Sequence, residues 1–167
     1  QAKEDQSGLS ALWGIEKIVK MIDKGKEQHL IKVNLSQGRG FYSFVHDRIK
    51  DALLKEFSTR ERSKLHLICA RTIETVYHNQ LEDKVYPLAY HYNQTDQTQK
   101  KIFYNTKAYE RALSLFSLSE SVYYMKKLAH IYLERKSISH SQSRLFVTLT
   151  RNMHIIGEIQ ESFLFLK

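Results

Sequence analysis

Apolar positions along this chain change period twice, and the changes mark its elements. Leu9, Leu12, Ile15, Val19 and Ile22 fall at steps of three and four, one face of an amphipathic helix over 9–23, with Gly25 as its C-terminal stop. From His29 to Leu35 the pattern tightens to alternation around Leu30, Ile31, Val33 and Leu35. Ser36-Gln37-Gly38-Arg39-Gly40 supplies two glycines free to take positive φ, and Phe41, Tyr42, Phe44 and Val45 resume an aromatic and β-branched run. The pattern predicts a hairpin with about six residues per strand. After Asp47 the helical period returns with no linker.

Ile49, Ala52, Leu53 and Phe57 make the first stripe of this second part. Ser58-Thr59-Arg60-Glu61 reads as a capping box, in which the Ser58 hydroxyl and the Glu61 carboxylate satisfy orphan amides at a helix start. A helix over about 59–79 is expected behind it. Its stripe of Leu65, Ile68, Cys69, Thr72, Ile73 and Val76 predicts a buried, inert thiol for Cys69, the single cysteine. Pro87, the single proline, suits the first turn of a short helix carrying Leu88, Ala89 and Tyr92, which Asn93-Gln94-Thr95-Asp96 ends.

From residue 99 the chain resembles itself. Ala108, Ala112, Leu115 and Phe116 form one stripe, Ser117-Leu118-Ser119-Glu120 a second capping box, and Val122, Met125, Leu128, Ala129 and Tyr132 the next stripe. Glu120-Ser121 aligns with Glu161-Ser162 at a shift of 41, which sets Phe116 opposite Gly157. A helix pair at such a spacing is the pattern of stacked helical repeats. It predicts close helix contacts at Ala112 and Ala129 and a tight helix approach at Gly157.

Composition changes this picture in only a few ways. With 167 residues, 42% of them hydrophobic, the chain is long enough for one or two small domains with a core. No apolar run reaches the roughly 18 residues of a membrane span. One cysteine permits no internal disulfide, so a reducing cytoplasm is expected. The first residue is Gln1 and Lys167 falls within a helical pattern, so a piece of a larger protein is expected, with 1–8 as linker or disordered tail. The net charge of +8 is spread as +1 over 1–35, +3 over 36–80, +3 over 81–140 and +1 over 141–167. A nucleic-acid footprint needs a clustered basic face. Lys17, Lys20 and Lys24 with Arg39 are the nearest approach to one, and Glu16 and Asp23 interrupt it. DNA is therefore not the expected partner.

The chemistry expected from side-chain spacing is sparse. Eight histidines and one cysteine occur without His-Glu-x-x-His or Cys-x-x-Cys spacing, so no metal site is predicted, and His91 and His130 read as packed beside aromatics. No Gly-x-Ser-x-Gly elbow accompanies Ser43 and His46. No Gly-x-x-x-x-Gly-Lys phosphate loop occurs either, so this segment is not expected to be an enzyme by itself. The best candidate for chemistry is His46-Asp47, where the strand pattern turns into a helix. An imidazole there can offer an N–H to a phosphate oxygen beside the free amides of a helix start.

A helix, a two-stranded wing and then Phe44-Val45-His46-Asp47 opening a helix with Ile49-x-x-Ala52-Leu53 resembles the end of the winged-helix domain of STAND-class signal-transduction ATPases. The Leu65-His66 helix, Leu88-Ala89-Tyr90-His91-Tyr92 and the Ala108-x-x-x-Ala112 helix pair resemble the tetratricopeptide-like region that follows it in AAA-type predicted ATPases. The resemblance implies a mainly α chain: a partial winged-helix domain over 9–57 and a tetratricopeptide-like array over 58–167. It further implies that His46 contacts the phosphates of ADP held by an ATPase domain, with Asp47 capping the next helix; the family's signature has Met where Val45 stands. ATP or ADP with magnesium would belong to the parent protein, and the partners would be its ATPase domain and an effector such as a kinase, cyclase or transcription factor. A DNA-binding winged helix and a stand-alone helical-repeat adaptor, its concave face taking a peptide or partner helix, are the other readings; the ten tyrosines and eight phenylalanines fit the second.

Overall fold

A computed structural model describes residues 16–36, 39–135 and 140–165. Leu9, Leu12, Ile15, the proposed tail over 1–8 and the turn residue Gly38 lie outside the described residues. The chain is mainly helical, with one small antiparallel sheet of two strands. It divides into two compact units, Gln1–Ser58 and Thr59–Lys167.

In the first unit, helix α1 is described over 16–27, followed by strands β1 (Ile31–Ser36) and β2 (Arg39–Phe44) and helix α2 (Asp47–Glu56). The strands pair in the register Ile31↔Phe44, Val33↔Tyr42, Leu35↔Gly40 and Ser36↔Arg39. Alternation therefore gathers Ile31, Val33, Leu35, Tyr42 and Phe44 on one face. Gly40 is a strand residue and not part of the turn, because the Ser36↔Arg39 pair closes the ladder before it. Gly25 is likewise not a stop. It is buried inside α1, where an added Cβ would come within 2.7 Å of Ile31 Cδ1, so its lack of a side chain lets helix and strand approach. The helix ends instead at His29, whose φ of 55° turns the chain left-handed while Leu30 N–H reaches back to Gly25 O at 2.8 Å.

The second unit comprises α3 (Thr59–Val76), a 3-10 turn (Leu81–Lys84), α4 (Val85–Asn93), α5 (Thr98–Ser114), α6 (Leu118–Glu134), α7 (His140–Ile155), α8 (Ile159–Ser162) and a 3-10 turn over Phe163–Phe165. Two clusters hold it together. Ala70, Leu88, Ala89, Tyr92, Tyr104, Ala108 and Tyr124 join α3 to α6, and Val122, Met125, Ala129, Phe146, Leu149, Met153 and Phe165 join α6 to the last turn. Each fully buried large apolar side chain contributes about 1.5–3 kcal/mol. Among the described residues, no helix is long and apolar enough to cross a membrane.

The inward face of α3 is Leu67, Ala70 and Ile73, not the stripe expected from spacing. Leu65, Ile68 and Val76 are exposed, and so is the Cys69 thiol. Both stripes contain Ile73, and Glu74 selects between them because tyrosines from α4 and α5 bind its carboxylate on the inner side. Leu115 and Phe116 also leave the core, for α5 stops at Ser114 and Phe116 is 95% exposed.

Two helix ends in this unit share one geometry. At the end of α5, Phe116 has φ 55° and Ser117 N–H donates to Ala112 O at 2.9 Å; at the end of α7, Gly157 has φ 86° and Glu158 N–H donates to Met153 O at 2.8 Å. Both are Schellman turns, and they stand 41 residues apart. Beyond each, a buried serine donates its hydroxyl to the carbonyl three residues back, Ser121 to Leu118 at 2.7 Å and Ser162 to Ile159 at 2.6 Å. Ala112 and Ala129 are fully buried. Gly157, however, marks no tight approach: a Cβ there would meet nothing within 4 Å, and its backbone conformation alone accounts for the glycine. The second capping box is not formed either, since Ser117 makes no side-chain bond to the start of α6.

Candidate functional site

The strand-to-helix junction is built by backbone geometry. Val45 N–H donates to Leu30 O at 3.0 Å, one step beyond the paired strands, and His46 follows with φ −130° and ψ 136°. These extended angles make His46 itself the N-cap residue of α2; its carbonyl accepts from Ile49 N–H at 3.1 Å, and its side chain makes no capping bond. Asp47 is therefore the first helical residue and not the cap. Its carboxylate pairs with Lys50 at 3.1 Å and still favours the helix start through the dipole. Its role shifts by one position because the extended backbone continues through His46. Ser58 directly precedes α3 and Glu61 stands in the first turn, as a capping box requires.

His46 is exposed, and an α-helix leaves its first amides without intrahelical partners. Ring and amides together can donate to an anionic oxygen. Ser43 takes no part, because its hydroxyl accepts from Asn34 Nδ2 at 2.7 Å across the hairpin. Within the same unit an open apolar groove of about 560 Å³ runs between α1, the sheet and α2, lined by Ile18, Met21, Ile22, Leu30, Phe44 and Leu53. Among the described residues no three His, Cys, Asp or Glu side chains gather.

The second unit holds polar clusters that spacing did not reveal. The Glu74 carboxylate accepts from Tyr92 at 2.7 Å, from Tyr104 and from Lys100 at 2.7 Å. Partial burial works to raise its pKa, yet the bonds from Lys100, Tyr104 and Tyr92 outweigh that and hold it below the usual carboxylate value. Burial and the Glu74 partner push both phenols well above theirs. The two phenol rings stack with centres 5.2 Å apart. Buried Asn105 exchanges amide bonds with Asn93 at 2.7 and 3.1 Å, fixing the end of α4 to α5. Lys126 ties α6 to α8 through Glu158 at 2.6 Å and Glu161 at 2.8 Å. These clusters join residues 12 to 35 apart, which helical period cannot pair.

His130 packs edge-on to Phe165 at 5.3 Å, while His91 meets both Tyr90 and His66. His154 Nε2 lies 2.8 Å from the Ser162 hydroxyl, but that hydroxyl is buried and already donates to Ile159 O, so the pair is structural and not a nucleophile with its base. Comparison of the chain with protein-family models, with curated proteins and with solved structures returned no match.

Proposed function

We propose that this chain is a non-catalytic regulatory and protein-interaction segment of a larger signal-transduction ATPase, coupling nucleotide state to an effector domain. In this reading the first unit is a winged-helix remnant and the second a tetratricopeptide-like array in a cytoplasmic protein. The observation that carries it is the exposed His46 ring at the N-cap of α2, directly after a hairpin and without a side-chain capping bond. A cap position held by a residue that does not cap is free for a ligand, and the ligand that suits an imidazole above helix amides is a phosphate. The two Schellman turns and two buried serines 41 residues apart support the repeat half of the reading.

His46 acts as the sensor. Its hydrogen bond to an ADP phosphate favours the closed state of the parent ATPase, and a charge-assisted bond of this kind is worth about 1.5–3 kcal/mol. That shifts a two-state equilibrium roughly ten- to hundredfold. The test is ADP retention and effector output in the full-length protein. His46→Ala is expected to release ADP and raise output, whereas Asp47→Ala loses only its first-turn charge and the Lys50 pair. Unchanged retention in a folded His46→Ala protein leaves the histidine with no sensing role.

A further inference from the structure

A second pair of histidines carries chemistry that the proposed sensor does not use. His66 lies within α3 and His91 in the last turn of α4, and their Nδ1 atoms approach to 3.0 Å in a part-buried contact. The Tyr90 ring stands edge-on to both, at 5.6 and 5.2 Å. Two nitrogens come this close when they share a metal ion or a proton, and their separation together with the ring direction favours the proton. The ring centres are 5.2 Å apart, 2.2 Å more than the nitrogens, so the rings point almost head-on. Two ligands of a tetrahedral ion at about 2.0–2.1 Å would instead hold their nitrogens about 3.3–3.4 Å apart, farther than the contact seen here. Among the described residues there is also no third ligand to complete such a site.

We propose that His66 and His91 form a one-proton latch between α3 and α4. In the neutral pair one ring donates its Nδ1–H and the other, as the Nε2–H tautomer, accepts at a bare Nδ1. A proton taken up from solvent goes to Nε2 of the donor ring, leaves the N–H···N bond in place and strengthens it. A second proton has only the bare Nδ1 left, and it sets two N–H groups and two positive charges face to face. The latch therefore survives the first protonation and breaks at the second.

The surroundings offer no relief. Burial lowers the pKa of His66; burial, and then the charge of His66, lowers that of His91. Arg62 stands one turn back on α3, and the α4 neighbour is Tyr90. From α5 and the Leu81–Lys84 turn no other charge among the described residues shifts either ring. Because the folded values lie below the ordinary 6.5, an opened latch binds more protons than a closed one. The closure thus holds above about pH 6.5 and through the first protonation and is lost as pH falls through the second, with the opening constant rising up to about tenfold per pH unit for the refused proton.

Long-range proton–nitrogen NMR of the imidazoles in the full chain tests this directly. At pH 7.5 one Nδ1 should carry the proton and the other be bare, and on acidification the rings should titrate as a coupled pair in two steps. Amide exchange along α3 should accelerate with the second step, and His91→Gln should abolish that acceleration. Two bare Nδ1 atoms at neutral pH, or two independent titrations near the ordinary value, would overturn the latch whether or not the variant folds. Stoichiometric Ni²⁺ uptake lost in both His66→Gln and His91→Gln would overturn it in favour of a shared metal.

Discussion

The two units of the chain are held together by different means. Between Thr59 and Lys167 two contiguous clusters of buried side chains run from α3 to the last turn, whereas in the first unit the only buried residue among those described is Gly25. Among the described side chains of β1, β2 and α2 none is fully buried. The hairpin owes its form to the strand ladder, the left-handed turn at His29 and the close approach at Gly25, while the second unit owes its form to burial. A surface meant to engage another molecule is better served by the first arrangement, because its apolar and polar groups remain available.

The contrast predicts unequal costs for removing apolar side chains. Leu88 is fully buried in α4, and Leu88→Ala should cost about 2–5 kcal/mol. Leu35 is 83% exposed in β1, and Leu35→Ala should fall within about 0.5 kcal/mol. Urea denaturation of both variants measures the difference; equal losses would mean that the hairpin has a core of its own. Filling rather than emptying the core of the second unit comes next. Ala112→Leu meets the close-packed start of the α5–α6 turn and should cost about 1–3 kcal/mol by the same assay.

A smaller pair of effects with opposite signs tests the equivalence of the two Schellman turns. Phe116 is a non-glycine in the left-handed region and almost wholly exposed, so Phe116→Gly should stabilise by about 1 kcal/mol. Gly157→Ala should destabilise by about the same, and a thermal melt of each reads the sign. Glu74→Gln is expected to act on the pH dependence of stability. The Glu74 pKa is lowered from 4.5 in the folded chain, so its contribution is present above that value and fades as pH falls through the folded pKa. Below about pH 4.5 the stability of the Gln variant should therefore decline less steeply than that of the parent.

Much of the fold could be read from period alone. The alternation over 31–45 and the helical stripes of 49–57 and 118–132 correspond to observed elements, because strand and helix periods follow from backbone geometry. Errors arose where a residue's usual role was not its role here. Gly25 looks like a stop and is a packing site, while His29, an unusual left-handed residue, ends the helix. Phe116 fits an apolar stripe and lies beyond the helix end. Cys69 fits one of two stripes on α3, and only the tyrosines that grip Glu74 from other helices show which stripe turns inward. The junction at His46 was legible because both periods meet there without a linker. The pairing of His66 with His91 was not, since it joins two helices 25 residues apart.

The central claim of the proposed function is that nucleotide acts on the exposed junction and not on the helices of the second unit. Residue-resolved hydrogen exchange in the full-length parent protein, with and without ADP, addresses it most directly. The account predicts that ADP slows exchange at the Asp47 and Arg48 amides, that His46→Ala abolishes this, and that the buried helices α4 to α6 exchange alike in every case. Exchange at Asp47 and Arg48 that is the same with and without ADP would contradict it.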